Sequence, residues 1–257
     1  MQISNTGDVL LSSDFELYSI EELEQIGEFT WHIADHFPKN STVTVFGASG
    51  VGKSFLCLDM AMSIANGVPY LNKWGTKQGN VLYLCSEGGY GVKGRIAAWN
   101  KWRSLKPTKN INFSVTSHDL QNRAEVERLL RKTKEKFKTI DAVFVDTLSR
   151  NFGSGDTDRN HDMRLYLQNV DYIREQTGAT VVNVHHTGNS DDRRERGAKS
   201  LRDYCDTSIC VFAEKGTAAI GVSCEKQKDS APFDTYSLAK VTIGSSLALK
   251  WQPAKTK

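Results

Sequence analysis

The segment GASGVGKS, residues 47–54, holds the first side chains that could do chemistry. It matches G-x-x-x-x-G-K-S in full, and it lies between a β-branched run and a stretch rich in Leu, Met and Ala. Its glycines let backbone N–H groups wrap a polyphosphate, and the start of a helix adds a favourable dipole. Lys53 would reach the β- and γ-phosphates, and the Ser54 hydroxyl would bind Mg²⁺. The motif predicts a site for ATP and Mg²⁺ made of Gly47, Ala48, Ser49, Gly50, Val51, Gly52, Lys53, Ser54 and Phe55.

Two carboxylates follow apolar runs. Asp146 ends AVFVD, and Glu87 comes just after NVLYLC. An acid at the carboxyl end of a buried strand lies beside the phosphate loop, so Asp146 can hold Mg²⁺ through water. Glu87 would face the γ-phosphate and orient or deprotonate the attacking water. The alternatives are a helix cap or turn for Asp146 and a solvated loop for Glu87, although the pair Gly88–Gly89 favours a close-approach turn. Together the two acids predict a hydrolase.

His185 is the last residue of the apolar run TVVNVH, and His186 follows it directly. Successive strand residues point to opposite faces, so one of the two can face the nucleotide and sense its γ-phosphate. A packed structural histidine is an equally good interpretation. A zinc site is less favoured, because the pair lacks helical i, i+4 spacing and no cysteine is near.

The pattern of apolar runs indicates how these residues are positioned. Short runs suited to buried strands alternate with amphipathic stretches suited to helices, which predicts βαβ units and a mostly parallel sheet flanked by helices. After residue 205, TSICVFA, AIGVSCEK and TYSLAKVTI predict antiparallel strands at one edge of the same sheet. The predicted strands are 42–47, 80–85, 141–146 and 180–185, and the predicted helices are 53–66, 92–103, 123–137 and 161–176, after a short one from Ser19 to Gln25.

Bulk properties fit one large α/β domain. The chain has 257 residues, 39% hydrophobic and 25% charged, and a net charge of only +3. We predict an ATPase domain at 41–244, an N-terminal segment at 1–40 that packs on or exchanges with the core, and a C-terminal tail at 245–257. Five unpaired cysteines, no signal-peptide pattern and no apolar stretch of roughly 20 residues predict a cytoplasmic protein without a membrane partner (host cytoplasm, if a phage encodes it).

Four blocks of sequence resemble RepA-type hexameric replicative helicases and related phage and plasmid ATPases. They are GASGVGKSFLCLDMAMSIANG, SEGGYGVKGRIAAW, VFVDTLSRNFGSGD and VHHTGN…RGAKSL, and the resemblance spans about residues 30–230. It implies a RecA-like fold, with Lys53 and Ser54 as the Walker A residues, Glu87 as catalytic base and Asp146 as Walker B acid. It also implies that His186 is the γ-phosphate sensor and that Arg95 is a basic residue near the catalytic base.

The same resemblance implies basic residues that act on a neighbouring subunit. RGAKSLRDYCD departs from the family at Asp206, where an arginine is expected, which leaves Arg202 as a candidate finger. Lys226 and Lys228 resemble the paired cations of DnaB-like helicases, with a solvated strand end as the alternative. Such a cation would make hydrolysis depend on assembly.

Two polar loops are candidates for contact with single-stranded DNA. In RecA-like rings the loop at 188–202 lines the channel, and phosphate contacts there are independent of sequence; a mobile, charge-mixed surface loop is the alternative. The segment 149–160 is the second candidate, where Arg150 and Phe152 could touch a backbone and a base. The candidate cations are Arg150, Arg193, Arg194, Arg196 and Lys199.

We therefore expect a homo-oligomeric, DNA-stimulated ATPase and weigh it against two other classes of protein. The leading hypothesis is an ATP-hydrolysing helicase or DNA-stimulated ATPase of replication that acts on single-stranded DNA. The resemblance implies a hexameric ring, with replication proteins as further partners. The alternative is a RecA-like DNA-binding ATPase for recombination or loading that does not unwind. A small-molecule kinase is least favoured, because Glu87 suits water as the nucleophile.

Overall fold

The computed structural model describes residues 17–25, 30–186 and 199–253. Its strands are β1 (Trp31–Ile33), β2 (Phe37–Pro38), β3 (Thr42–Gly47), β4 (Val81–Cys85), β5 (Ile111–Ser114), β6 (Ala142–Asp146), β7 (Thr180–His186), β8 (Thr207–Ala213), β9 (Ile220–Gln227), β10 (Tyr236–Ile243) and β11 (Ser246–Gln252). Its helices are α1 (Ile20–Gln25), α2 (Lys53–Asn66), α3 (Gly89–Arg103), α4 (Arg123–Lys134), α5 (Asn160–Thr177) and α6 (Lys199–Tyr204), with a 3₁₀ turn at Ser149–Asn151.

Strands β3 to β11 form one sheet in the order β11-β10-β9-β8-β3-β7-β6-β4-β5. From β5 to β8 neighbouring strands are parallel, and β9, β10 and β11 complete the sheet by antiparallel pairing. This confirms the predicted α/β class with antiparallel strands at one edge. One detail differs from the expectation of hairpins alone: β8 is parallel to β3, and α6 lies between β7 and β8 in the chain.

Alternate residues of the central strands enter two different cores. In β4, Tyr83 packs with α2 and the start of α3 on one face, whereas Leu82 and Leu84 pack with α4 and α5 on the other. Strands buried on both faces need apolar residues at every position, which is why these runs were recognisable in the sequence. Their carboxyl ends lie at one edge of the sheet, where the phosphate loop and the candidate acids follow.

The predicted helices and central strands are confirmed with small shifts of their ends. The short N-terminal helix has the expected capping box, in which Ser19 N–H donates to Glu22 at 2.7 Å and Glu22 N–H donates to Ser19 Oγ at 3.2 Å. Strands β1 and β2 form a small hairpin whose Ile33 and Phe37 are fully buried against the core. In the described part of the chain, no helix is long and apolar enough to cross a membrane.

The C-terminal prediction was wrong for most of its length. Ser246–Gln252 is not a tail but the edge strand β11, paired with β10 along its full length. Its apolar residues Leu247, Leu249 and Trp251 alternate along the strand, and all three pack on the core. This period of two is the signature of a half-buried strand. Strand β5, at the opposite edge, was also not predicted, because its four residues are only half-buried and form no continuous apolar run.

Candidate active site

The phosphate loop connects the central strand β3 to the long, almost wholly buried helix α2. Its first glycine is required by packing, since a Cβ on Gly47 would overlap the carbonyl oxygen of Val211 in β8. Gly50 has φ +74°, a conformation that side chains disfavour. Lys53 and Ser54 open α2, so their side chains and the free N–H groups of the first helical turn point toward the same space.

The Lys53 ammonium lies inside the loop. It donates to the carbonyl oxygens of Gly47 at 2.7 Å and Ala48 at 2.8 Å, and its nitrogen is 3.3 Å from His186 Nδ1. The side chain is buried, and this burial lowers the pKa of Lys53 from its ordinary value. The contact with Lys53 brings His186, the predicted γ-phosphate sensor, to the phosphate loop. His185 is buried and points away from it, as the strand alternation requires.

Asp146 ends β6 and is almost completely buried, at 1% exposure. Ser54 Oγ donates to its Oδ1 at 3.1 Å, and the Tyr83 hydroxyl donates to its Oδ2 at 2.8 Å. Burial raises the pKa of Asp146, while the two hydrogen bonds act in the opposite direction. A hydroxyl and a carboxylate oxygen held this close are the hard oxygen donors that Mg²⁺ prefers, so Ser54 and Asp146 fit the metal of a Mg–nucleotide complex.

Glu87 follows β4 and faces the same space with a partly exposed carboxylate. The Thr147 hydroxyl donates to its Oε1 at 3.1 Å, and Arg150 Nε lies 3.6 Å from the same oxygen. Gly88 has φ +70° and caps α3, so the chain turns sharply between Glu87 and the helix. The carboxylate is therefore held by partners on the segment that follows Asp146.

One cavity of about 150 Å³ joins the predicted catalytic residues. Arg95 reaches it from α3, with its guanidinium 5.0 Å from the ring centre of Phe55. The arrangement can hold a polyphosphate between Lys53 and the loop and present its terminal group to Glu87. The residues that line the cavity are Ser49, Gly50, Gly52, Lys53, Ser54, Phe55, Glu87, Arg95, Thr147 and His186.

The candidate finger residues lie apart from this cavity, around α6. Arg202 is exposed on that helix. Lys226 Nζ donates to the carbonyl oxygens of Arg202 and Asp203, at 3.0 and 2.8 Å, so it caps the last turn of α6. Lys228 Nζ donates to Asp206 at 2.9 Å. Within one chain both lysines therefore have structural partners, and their action on a neighbouring subunit stays a prediction.

The departure from the family pattern at Asp206 has a local structural role. Asp206 Oδ2 accepts a hydrogen bond of 2.8 Å from the backbone N–H of Thr42, the first residue of β3. Its other oxygen accepts from Lys228, and Arg174 lies 3.9 Å away. The carboxylate thus connects the start of the phosphate-loop strand to β9 and α5.

Of the five candidate DNA-binding cations, Arg150 is the one whose side chain the structure describes. It is exposed on the 3₁₀ turn and lies beside Glu87. Phe152 does not fit its predicted contact with a base, because it is buried and packs at 5.5 Å against the Tyr166 ring. Arg193, Arg194 and Arg196 lie outside the described residues, as does the side chain of Lys199.

Sequence reasoning missed two features of the site. The first is the hydrogen bond from Tyr83 to Asp146. To predict this bond one must know the strand register, in which Tyr83 pairs with Phe144, two residues before Asp146 on the same face. The contact between Arg150 and Glu87 was also missed, since the two belong to loops 63 residues apart. A signal for it was the position of each residue just beyond a neighbouring parallel strand.

Comparisons with known proteins identify the family and the fold of the chain. A family model described as an AAA domain, AAA_25, matches residues 17–192. A search of curated proteins gives no match. Among solved structures, the chain resembles a KaiC-like protein from the hyperthermophilic archaeon Pyrococcus horikoshii OT3, with a TM-score of 0.58 and 13% identity over 85% of this chain and 93% of that one. At that identity the likeness shows the fold alone, a RecA-like arrangement of sheet and helices.

Proposed function

The chain belongs to the AAA_25 family of AAA domains, and we propose that it hydrolyses ATP to drive a ring-forming motor on single-stranded DNA. The motor would be a replicative helicase or a closely related DNA-stimulated ATPase. In this proposal, the catalytic domain begins at about residue 41 and extends through strand β11, which ends at Gln252, and the preceding segment packs on or exchanges with it.

The observation that carries ATP hydrolysis is the position of Glu87 in the same cavity as Lys53 and Ser54. A carboxylate there can accept a proton from water as the water attacks the terminal phosphorus. Lys53 would exchange its bonds to the Gly47 and Ala48 carbonyls for phosphate oxygens. Mg²⁺, when bound with the nucleotide at Ser54 and Asp146, would neutralise charge on the phosphates.

His186 and Arg95 support a mechanism in which the bound phosphate is sensed. His186 contacts Lys53 and is the last residue of β7, and the candidate DNA-binding segment 188–202 follows it in the sequence. Loss of the γ-phosphate would change the partner of Lys53, and His186 would pass that change to the next segment. Arg95 would place a second positive charge near the transferred group.

Two features support DNA and ring assembly. The first is the order of the RepA-like blocks, of which the VHHTG and SEGG-x-G…R-x-x-AW blocks are the most selective. The second is Arg150, which places an exposed cation next to the catalytic glutamate. A ring would let Arg202, Lys226 or Lys228 of one subunit approach the nucleotide of the next.

The proposal is tested by steady-state ATP hydrolysis at low salt, with and without a dT₂₀ oligonucleotide, together with the mass in solution measured by light scattering with and without ATP. We expect Mg²⁺-dependent turnover that rises with the oligonucleotide, and assembly into a ring. Absence of turnover would contradict the ATPase, whereas turnover without binding or stimulation by the oligonucleotide would contradict the DNA motor.

A strand-displacement assay on a tailed duplex separates the helicase from the alternative, a loading or recombination ATPase that binds DNA without unwinding it. Displacement that requires ATP supports the helicase. DNA-stimulated turnover without displacement supports the alternative.

A further inference from the structure

An exposed aromatic residue lies three positions after Glu87 in the chain, in the first turn of α3. Tyr90, in the first turn of α3, is fully exposed, although large apolar side chains usually bury part of their surface. Val115, which follows β5, is 55% exposed and close by, since a Cβ on Gly89 would be 3.0 Å from Val115 Cβ. Two of the most exposed large apolar side chains in the described residues therefore lie on the start of α3 and on the segment that packs against it.

Cations accompany this apolar pair. The Arg150 side chain is 64% exposed and lies on the other side of Glu87, with Nε 3.6 Å from the carboxylate. Lys93 is exposed one turn beyond Tyr90 on α3. Aromatic rings that can stack on bases, next to Arg and Lys that can pair with phosphates, are the two elements with which proteins bind single strands without regard to sequence.

We propose that Tyr90 and Arg150 form a contact site for single-stranded nucleic acid that controls Glu87: a base stacks on Tyr90, and a phosphate takes Arg150 away from the glutamate. This inference rests on the proposed hydrolysis of ATP at the same site. It adds a binding partner for Tyr90 and for Arg150, and it explains how DNA binding would change the rate of ATP hydrolysis.

The contacts of Glu87 explain how such a contact would change the rate. Oε1 accepts from Thr147 and faces Arg150 at the same time, so two donors already occupy the oxygen that an attacking water would have to approach. An ion pair between partly exposed side chains is weak, and a phosphate can replace the carboxylate as the partner of Arg150 at little cost. Thr147 would remain to orient the freed carboxylate.

A second copy of the chain is the competing occupant of this surface, because ring ATPases place a neighbour near the nucleotide. The mixed apolar and basic character favours nucleic acid, since a base and a phosphate together match Tyr90 and Arg150. The experiment must therefore report on oligonucleotide binding and on assembly separately.

The test compares wild type, Arg150→Ala, Tyr90→Ala and Tyr90→Phe, with Arg159→Ala as the matched control. Arg159 is an exposed arginine on the same loop that pairs with Asp156 at 3.7 Å instead of with Glu87. The measurements are kcat and KM for ATP with and without dT₂₀, the anisotropy of fluorescein-labelled dT₂₀, and mass by light scattering.

We expect Arg150→Ala to raise the DNA-free kcat by about two- to fivefold, the range of a weak ion pair, and to bring the DNA stimulation ratio close to one. Tyr90→Ala should weaken dT₂₀ binding by about tenfold and Tyr90→Phe only slightly, since the phenyl ring keeps the stacking surface. Arg159→Ala should match wild type in kcat and in the stimulation ratio.

Other results would overturn the inference in recognisable ways. A wild type that hydrolyses ATP and responds to dT₂₀, with an Arg150→Ala variant whose DNA-free kcat and stimulation ratio are unchanged, removes the coupling while leaving the proposed function intact. A Tyr90→Ala variant that binds dT₂₀ normally but no longer assembles assigns the surface to a second copy. No hydrolysis by wild type would be a failure of the proposed function itself.

Discussion

The Tyr83 hydroxyl donates a hydrogen bond of 2.8 Å to Asp146 Oδ2, from one buried strand to the end of its neighbour. The bond leaves Oδ1 to face Ser54 and the nucleotide cavity. A carboxylate that must stay ionised to hold Mg²⁺ is thereby supported by a donor in the core.

This relationship predicts a change in pH dependence for Tyr83→Phe. Burial already raises the pKa of Asp146, and loss of the hydrogen bond would raise it further, because the bond favours the charged form. Asp146 protonates below its pKa, so ATPase activity should be lost as pH falls, and in the variant this loss should begin at a higher pH than in wild type.

The control for this prediction is Tyr166→Phe. Tyr166 is equally buried, but its hydroxyl donates to Asn183 on the other face of the sheet. Profiles of kcat against pH for the two variants should differ, with only Tyr83→Phe moving the acid limb. The same acid limb in both variants would mean that Tyr83 acts through packing alone.

Asp59 predicts a separate effect of pH on stability. It lies buried in the middle of α2, accepts a hydrogen bond of 2.9 Å from the Trp99 indole, and burial raises its pKa to about 6. A raised pKa in the folded state means that its contribution to stability is full at low pH and is lost as pH rises through about 6. The loss should be about 3 kcal/mol.

Asp59→Asn keeps an acceptor for Trp99 and removes the titration. Urea unfolding at pH 4.5 and 7.5 should therefore show a smaller fall in the free energy of unfolding with rising pH than in wild type. Asp234→Asn, at an exposed carboxylate, should behave as wild type. An Asp59→Asn variant with the wild-type fall would show that Asp59 is ionised in the folded protein at both pH values.

Asp206 predicts a loss of stability without a loss of chemistry. Asp206→Ala would leave the N–H of Thr42 without its acceptor and Lys228 without its carboxylate, which should cost about 1–3 kcal/mol in the free energy of unfolding. Turnover per folded molecule should be retained. Asp203→Ala, at an exposed position on α6, is the control. Normal stability with reduced turnover would instead tie this segment to catalysis.

The fold could be predicted from the sequence where one signal was strong. Runs such as AVFVD, buried on both faces, and the glycine that ends α2 fix the central strands and helices without tertiary information. Strand β11 was missed although a signal was present, since Gly244 and Ser245 form a two-residue hairpin turn in which Gly244 has φ +61°. Strand β5 depends on its partner β4, and nothing local distinguishes its four residues from a loop.

Some residues of the site could likewise be predicted from the sequence, whereas some of its contacts could not. Lys53 and Ser54 could be predicted from the phosphate-loop motif, which lies within one strand–loop–helix unit. Asp146 could be predicted from its position at the end of a buried strand. The contacts of Tyr83 with Asp146 and of Arg150 with Glu87 depend on the order and register of strands β4 and β6, which no local pattern encodes. In the sequence, Asp59 is a polar residue within a largely apolar stretch. Only the structure shows that it is buried beside Trp99 and that this burial raises its pKa to about 6.

The central claim is that Glu87 activates water for ATP hydrolysis at the phosphate loop, and Glu87→Gln tests it most directly. Glutamine keeps the shape of the side chain and its bond from Thr147 but cannot accept the proton. The measurement is single-turnover ATP hydrolysis beside equilibrium ATP binding, for the variant and wild type. We predict unchanged binding and a rate at least about 100-fold lower. Hydrolysis by Glu87→Gln at the wild-type rate would contradict the account.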